Sequence, residues 1–109
     1  MRPVVFTLSG AASTSSVCPL DHYMSPFNIA LGVTVTGTVN YTVQYTFDDV
    51  FAPGYDPASG NWVNHPSLTS QAGSLDSNIA YPVRGVRLVM NSGTGTTRLT
   101  IIQAGGPGV

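Results

Sequence analysis

The amino-acid sequence predicts an all-β single domain, an antiparallel β-sandwich or jelly-roll-like barrel of about six to eight strands. Three observations carry that expectation. Residues 39–47 read VNYTVQYTF, in which Val39, Tyr41, Val43, Tyr45 and Phe47 alternate with uncharged polar residues, the period-two signature of a half-buried strand. No long window repeats apolar residues at the i, i+3, i+4, i+7 spacing of an amphipathic helix. Lys and Glu are absent, while Val, Thr, Ser and Gly are abundant, which removes strong surface helix formers and favours strands and turns.

The elements follow in chain order. Val4–Leu8 is a short first strand, ended by the SGAASTSS run at Ser9–Ser16. Val17–Leu20 is brief, and Pro19 and Pro26 restrict pairing around Asp21–Ser25. Phe27–Thr36 is a long strand with Gly32 as a candidate bulge. Thr36-Gly37-Thr38 offers a tight turn into the strand at residues 39–47, making a hairpin. The alternative is one continuous strand kinked at Gly37, because the odd-position pattern from Val33 to Phe47 never breaks. From Asp48 to Ser77 turn chemistry dominates: FAPGYDPASGNW carries Pro53, Gly54, Pro57 and Gly60, with short strand pieces at Trp62-Val63 and Ser67–Thr69. Ala80–Asn91 is a strand whose Gly85 bulge sets Val86, Leu88 and Met90 on one face. Ser92–Gly95 turns it into Thr96–Gln103, with Leu99 and Ile101 inward and Arg98 and Thr100 outward. The domain spans residues 1–109, with a loose N-terminal segment and a flexible glycine-rich tail.

Charge narrows the function classes. Charged residues are 8% of the 109-residue chain and the formal net charge is −1, against the ~25% charged residues of ordinary soluble domains. The four cations are Arg2, Arg84, Arg87 and Arg98, too few and too scattered for the clustered basic surface that nucleic acid or an anionic membrane requires. The single Cys18 excludes an intrachain disulfide and is expected to be a buried free thiol. The apolar run Val4–Leu8 is too short for a signal peptide, and no stretch approaches the ~20 apolar residues of a membrane span. Synthesis in a reducing cytoplasm without an export signal is the expectation.

No constellation promises catalysis. Two histidines, His22 and His65, accompany many serines, but no G-x-S-x-G elbow pairs a nucleophile with a base. Asp48, Asp49, Asp56 and His65 lack the spacing of a calcium loop, so no metal and no cofactor is expected, and Asp48-Asp49 reads as a strand cap. Asn40-Tyr41-Thr42 is a formal glycosylation sequon, read as accidental without an export signal. The candidate protein-binding residues are Tyr55, Trp62 and His65 in the long loop, where aromatic side chains form either a contact hot spot or a small core at the end of the sandwich. Arg84 and Arg87 join them, either as grips for a partner carboxylate or as ordinary outward strand residues. An uncharged strand face invites pairing with other chains, and points to a subunit that works among neighbours; a Thr- and Asn-rich face also suits polysaccharide.

The segments SPFNIALGV (Ser25–Val33), YTVQYTFDDVF (Tyr41–Phe51), WVNHPSLT (Trp62–Thr69) and YPVRGVRLVMNSGTGTTRLTIIQ (Tyr81–Gln103) resemble, in order and style, small structural proteins of tailed bacteriophages. That family includes capsid cement or decoration proteins, small β-rich subunits that clamp neighbouring major capsid proteins. The resemblance implies a virion structural protein on the capsid surface, partnered by the major capsid protein and by copies of itself. A tail, collar or head-fibre component is the runner-up, followed by a carbohydrate-binding β-sandwich. The resemblance implies no catalytic or ligand residues.

Overall fold

The computed structural model describes residues 4–10, 12–20, 28–50, 52–80 and 83–103. Its strands are β1 (Val4–Ser9), β2 (Ser13–Thr14), β3 (Cys18–Pro19), β4 (Ile29–Thr36), β5 (Val39–Thr46), β6 (Trp62–Asn64), β7 (Leu75–Ile79), β8 (Gly85–Gly93) and β9 (Thr96–Gln103). They form two antiparallel sheets packed as a sandwich. One sheet has the order β1-β9-β4-β7; the other has the order β2-β8-β5-β6, with β3 also paired to β8. Among the described residues the helical content is one 3₁₀ turn, Pro57–Ser59. None of them forms a helix long and apolar enough to cross a membrane. The expected all-β sandwich is therefore the fold.

Alternation decides which side of each strand is dry. Ile29, Leu31 and Val33 on β4, Leu99 and Ile101 on β9, and Ile79 on β7 face Val39, Tyr41, Val43 and Tyr45 on β5 and Val86, Leu88 and Met90 on β8. Each such side chain contributes about 1.5–3 kcal/mol by leaving water. Cys18 is a free, buried thiol in this core, and desolvation raises its pKa to about 11. Leu20, Leu68 and Val83 complete the core from the connections.

The hairpin expected at Gly37 does not form. β4 lies in one sheet and β5 in the other, so the chain crosses the sandwich at Gly37-Thr38; the kink is at Gly37, but it separates two strands rather than bending one. β8 and β9 cross in the same way at Thr94-Gly95. The ladder pairs Thr36 with Thr96 in one sheet and Val39 with Gly93 in the other, so one long two-stranded ribbon is folded over on itself. At the fold, the Thr94 and Gly95 amides donate to Thr38 O at 3.0 and 2.9 Å. Gly37 takes φ +81°, and a Cβ on Gly95 would strike Thr36 O and the Gly37 carbonyl carbon. This close approach needs glycine. Because the inward parity is unchanged on both sides of the corner, the sequence pattern runs through it without a break.

Other expectations are corrected too. Register runs unbroken through Gly32, and β8 starts at Gly85 without a bulge there; the irregularity lies at Asn40/Tyr41. The end of the segment placed in the long loop, Leu75–Ser77, is the start of β7, which pairs with β4 from Ile29↔Ile79 to Val33↔Leu75. Its LDSNI sequence is rich in residues that strands usually avoid. Ser67–Thr69 is not a strand, although Val43 N donates to Leu68 O at 2.9 Å. Phe47 lies past the end of β5 and is 55% exposed. The tail from residue 104, Arg2 and His22 lie outside the described residues.

Candidate functional site

The outward face of β5 is where the candidate residues gather. Register sets Gln44 opposite Arg87 on one side and Asn64 on the other, and Thr46 opposite Trp62. Arg87 Nε donates to Gln44 Oε1 at 2.8 Å, and Gln44 Nε2 donates to Asn64 Oδ1 at 2.8 Å. The Arg87 guanidinium carbon sits 4.1 Å from the Trp62 ring centroid, a cation–π contact. Burial lowers the Arg87 pKa, an effect opposed by Tyr55.

The 3₁₀ turn closes this cluster. Asp56 caps it by accepting from Ala58 N at 3.0 Å, and Pro57 occupies its first turn, as Pro prefers. Pro57 O then receives Trp62 Nε1 at 2.9 Å, Arg87 Nη1 at 3.3 Å and Gly60 N at 3.3 Å. Gly60 lets these groups close in, because a Cβ here would collide with Tyr55 Oη and lie 3.1 Å from Trp62 Nε1, displacing the tyrosine tip. Tyr55 Oη is buried without a hydrogen-bond partner. Tyr55, Trp62 and Arg87 thus form one assembly around Pro57 and Gly60, and most of its polar groups are satisfied from within.

Arg84 and His65 stand elsewhere. The Arg84 backbone N donates to Thr46 O at 2.8 Å. Its charge helps to hold Asp48 below the usual carboxylate range, after the larger effect of the Asn61 N–H donated to Asp48 Oδ2 at 2.7 Å. His65 is buried, with its ring edge-on to Tyr45 at 6.3 Å between centroids. Its Nδ1 accepts from Ser67 N at 3.2 Å, so the proton is on Nε2, which donates to Asn78 O at 3.0 Å. Ser77 Oγ lies 3.5 Å from the same nitrogen. With its proton held by a carbonyl, Nε2 is not placed to take one from Ser77. His65 fastens the loop to the outer edge of β7.

The uncharged face of β5 continues beyond this cluster. Asn91 Nδ2 donates to Asn40 Oδ1 at 2.8 Å and to Thr42 Oγ1 at 3.0 Å, and Ser70 N donates to Thr42 Oγ1 at 3.0 Å. Thr46 Oγ1 donates to Asn61 O at 2.8 Å and accepts from Asp48 N at 3.0 Å. Thr42 and Thr46 are buried under the loop. Lys or Glu at these positions would lose hydration and find no such partners.

The outward face of the β1-β9-β4-β7 sheet differs. It presents Val5 (42% exposed) and Ile102 (44% exposed), with Ala30, Thr34 and Thr100 and only Arg98 and Asp76 as charges. Gly32 in its middle has open space where a Cβ would stand. Sequence reasoning found Trp62 and Arg87 but missed Gln44, Asn64 and Pro57 as their partners. The Asp56-Pro57 pair was a legible turn signal; the Gln44–Arg87 pairing needs the register. Among the described residues no three of His, Cys, Asp and Glu group as metal ligands would. No protein-family model matches this sequence, and no curated protein matches it.

Proposed function

We propose that this chain is a virion structural protein of a tailed bacteriophage, a cement or decoration subunit that binds the major capsid protein shell and stabilises it from the capsid surface. The resemblance of its segments to such proteins supports the reading. The physical observation that carries it is the nearly uncharged outward face of the β1-β9-β4-β7 sheet, with Val5 and Ile102 exposed. A subunit working alone is usually protected by charge on such a surface. A clamp needs area and repetition, and stable interfaces bury about 1,200–2,000 Å² in total. A saccharide platform would need an open aromatic face, whereas one face of Trp62 is taken by Arg87.

Quantitative mass spectrometry of purified particles, separated into heads and tails, tests this. The chain should be found with heads at a copy number commensurate with the shell lattice. Recovery with tails would move it to the tail, collar or fibre apparatus. Absence from particles, together with saccharide binding lost in Trp62→Ala, would overturn the structural reading.

A further inference from the structure

We propose that β1 is a docking edge for a second copy of this chain, joining two four-stranded sheets into one continuous sheet. Of the described strand edges, β1 alone is long and unprotected. β6 has three residues, and β2 and β3 have two each, with Pro19 in β3. β7 carries Asp76, and its outer edge is engaged where Asn78 O receives His65 Nε2. β1 runs for six residues, VVFTLS, without charge, proline or bulge. Among the described residues it pairs with β9 alone. Short strands, charges, proline and covering groups are the usual defences of an edge, and among the described residues β1 has none of them.

The occupant is argued from the strand's own pattern. Val4, Phe6 and Leu8 point inward but are only partly buried against the core, so the dry row is unfinished at this edge. Antiparallel pairing of two copies must keep inward residues opposite inward residues. A two-fold axis at Phe6 does so: Val4 meets Leu8 of the second copy, Phe6 meets Phe6, and Val5 meets Thr7 on the outward side. Every inward side chain thereby gains an apolar neighbour, and a self-complementary patch of this kind closes as a dimer. A six-residue strand pair is small beside an ordinary stable interface, so the dimer is reversible and concentration-dependent.

Sedimentation equilibrium of the isolated protein should show a monomer–dimer exchange. Val5→Lys with Thr7→Lys places like charges opposite each other on an exposed face. It should weaken the dimer more than about tenfold, which is about 1.4 kcal/mol, with the thermal transition retained. Register is read by disulfide formation under a mild oxidant. A mixture of Val5→Cys and Thr7→Cys chains should cross-link to each other, while neither variant cross-links to itself. A monomer at all concentrations, an unaffected dimer in the lysine variant, or Thr7→Cys linking to itself would overturn the proposal. The virion reading fails separately: a monomer recovered on heads refutes the β1 pairing alone, and a dimer absent from particles refutes the virion role alone.

Discussion

The two sheets of the sandwich are equally poor in charge but use that surface differently. On the β2-β8-β5-β6 sheet, Asn40, Thr42, Gln44 and Thr46 are bonded sideways to Asn91, Arg87, Asn64 and the loop above them. On the outward face of the β1-β9-β4-β7 sheet, the side-chain bonds among the described residues include Asn78 Nδ2 to Asn28 Oδ1 at 3.4 Å, and Val5 and Ile102 meet solvent. The difference separates two meanings of an uncharged strand face. One is a polar layer consumed by the fold, and the other is an open face, which under the proposed function is the surface that meets a partner.

The largest expected effect contrasts one valine on each sheet. Val43 is fully buried at the centre of β5, so Val43→Asp should cost about 4 kcal/mol or more, through an unpaired buried charge and lost packing. Val5→Asp on the open face should stay within about 0.5 kcal/mol. Urea denaturation of both variants measures the gap. Similar costs would mean that the open face is structurally committed after all.

Trp62→Ala comes next, at about 2 kcal/mol, because it removes the Arg87 stacking and the bond to Pro57 O. Chemical denaturation reads the loss, and a neutral result would show that the closed cluster does not hold the loop down. Tyr41→Phe should cost about 1 kcal/mol, since the Tyr41 hydroxyl donates to Gly73 O at 2.7 Å where the loop crosses the sheet; the thermal midpoint reports it.

The smallest effect is confined to acid. Asp48 has its pKa lowered by the Asn61 N–H and neighbouring hydrogen bonds. A carboxyl lowered in this way stabilises the folded chain above its unfolded pKa. That contribution fades as pH falls through the lower folded value. Asp48→Asn should therefore flatten the stability-against-pH curve below the ordinary carboxylate range and leave its shape near neutrality unchanged. Parallel thermal melts across the acid range check this.

Legibility in the sequence followed the same division. Strand phase was readable wherever burial alone decided it: Val39–Tyr45, Val86–Met90 and Leu99–Ile101 all face the core as their alternation requires. The Gly37 corner was not readable, because the chain keeps its inward parity from Val33 to Tyr45 across it and leaves the pattern looking like one strand or a hairpin. β7 was hidden because LDSNI is held by pairing with β4 and by His65 rather than by apolar content. In the candidate cluster, Trp62 and Arg87 stood out by residue type. Their shared partner is a backbone carbonyl, Pro57 O, which has no signature in side-chain sequence. Thr42 and Thr46 looked wet because nothing in β5 itself encodes the loop that covers them.

Hydrogen exchange, compared between the dilute free protein and the assembled state, tests most directly whether one sheet is closed and the other left for partners. Alternate amides of Val4–Ser9, exposed at the free edge, should slow markedly on assembly while those of Asp56–Asn64 keep their free-state rates. Protection appearing at Asp56–Asn64 with β1 unchanged would contradict it.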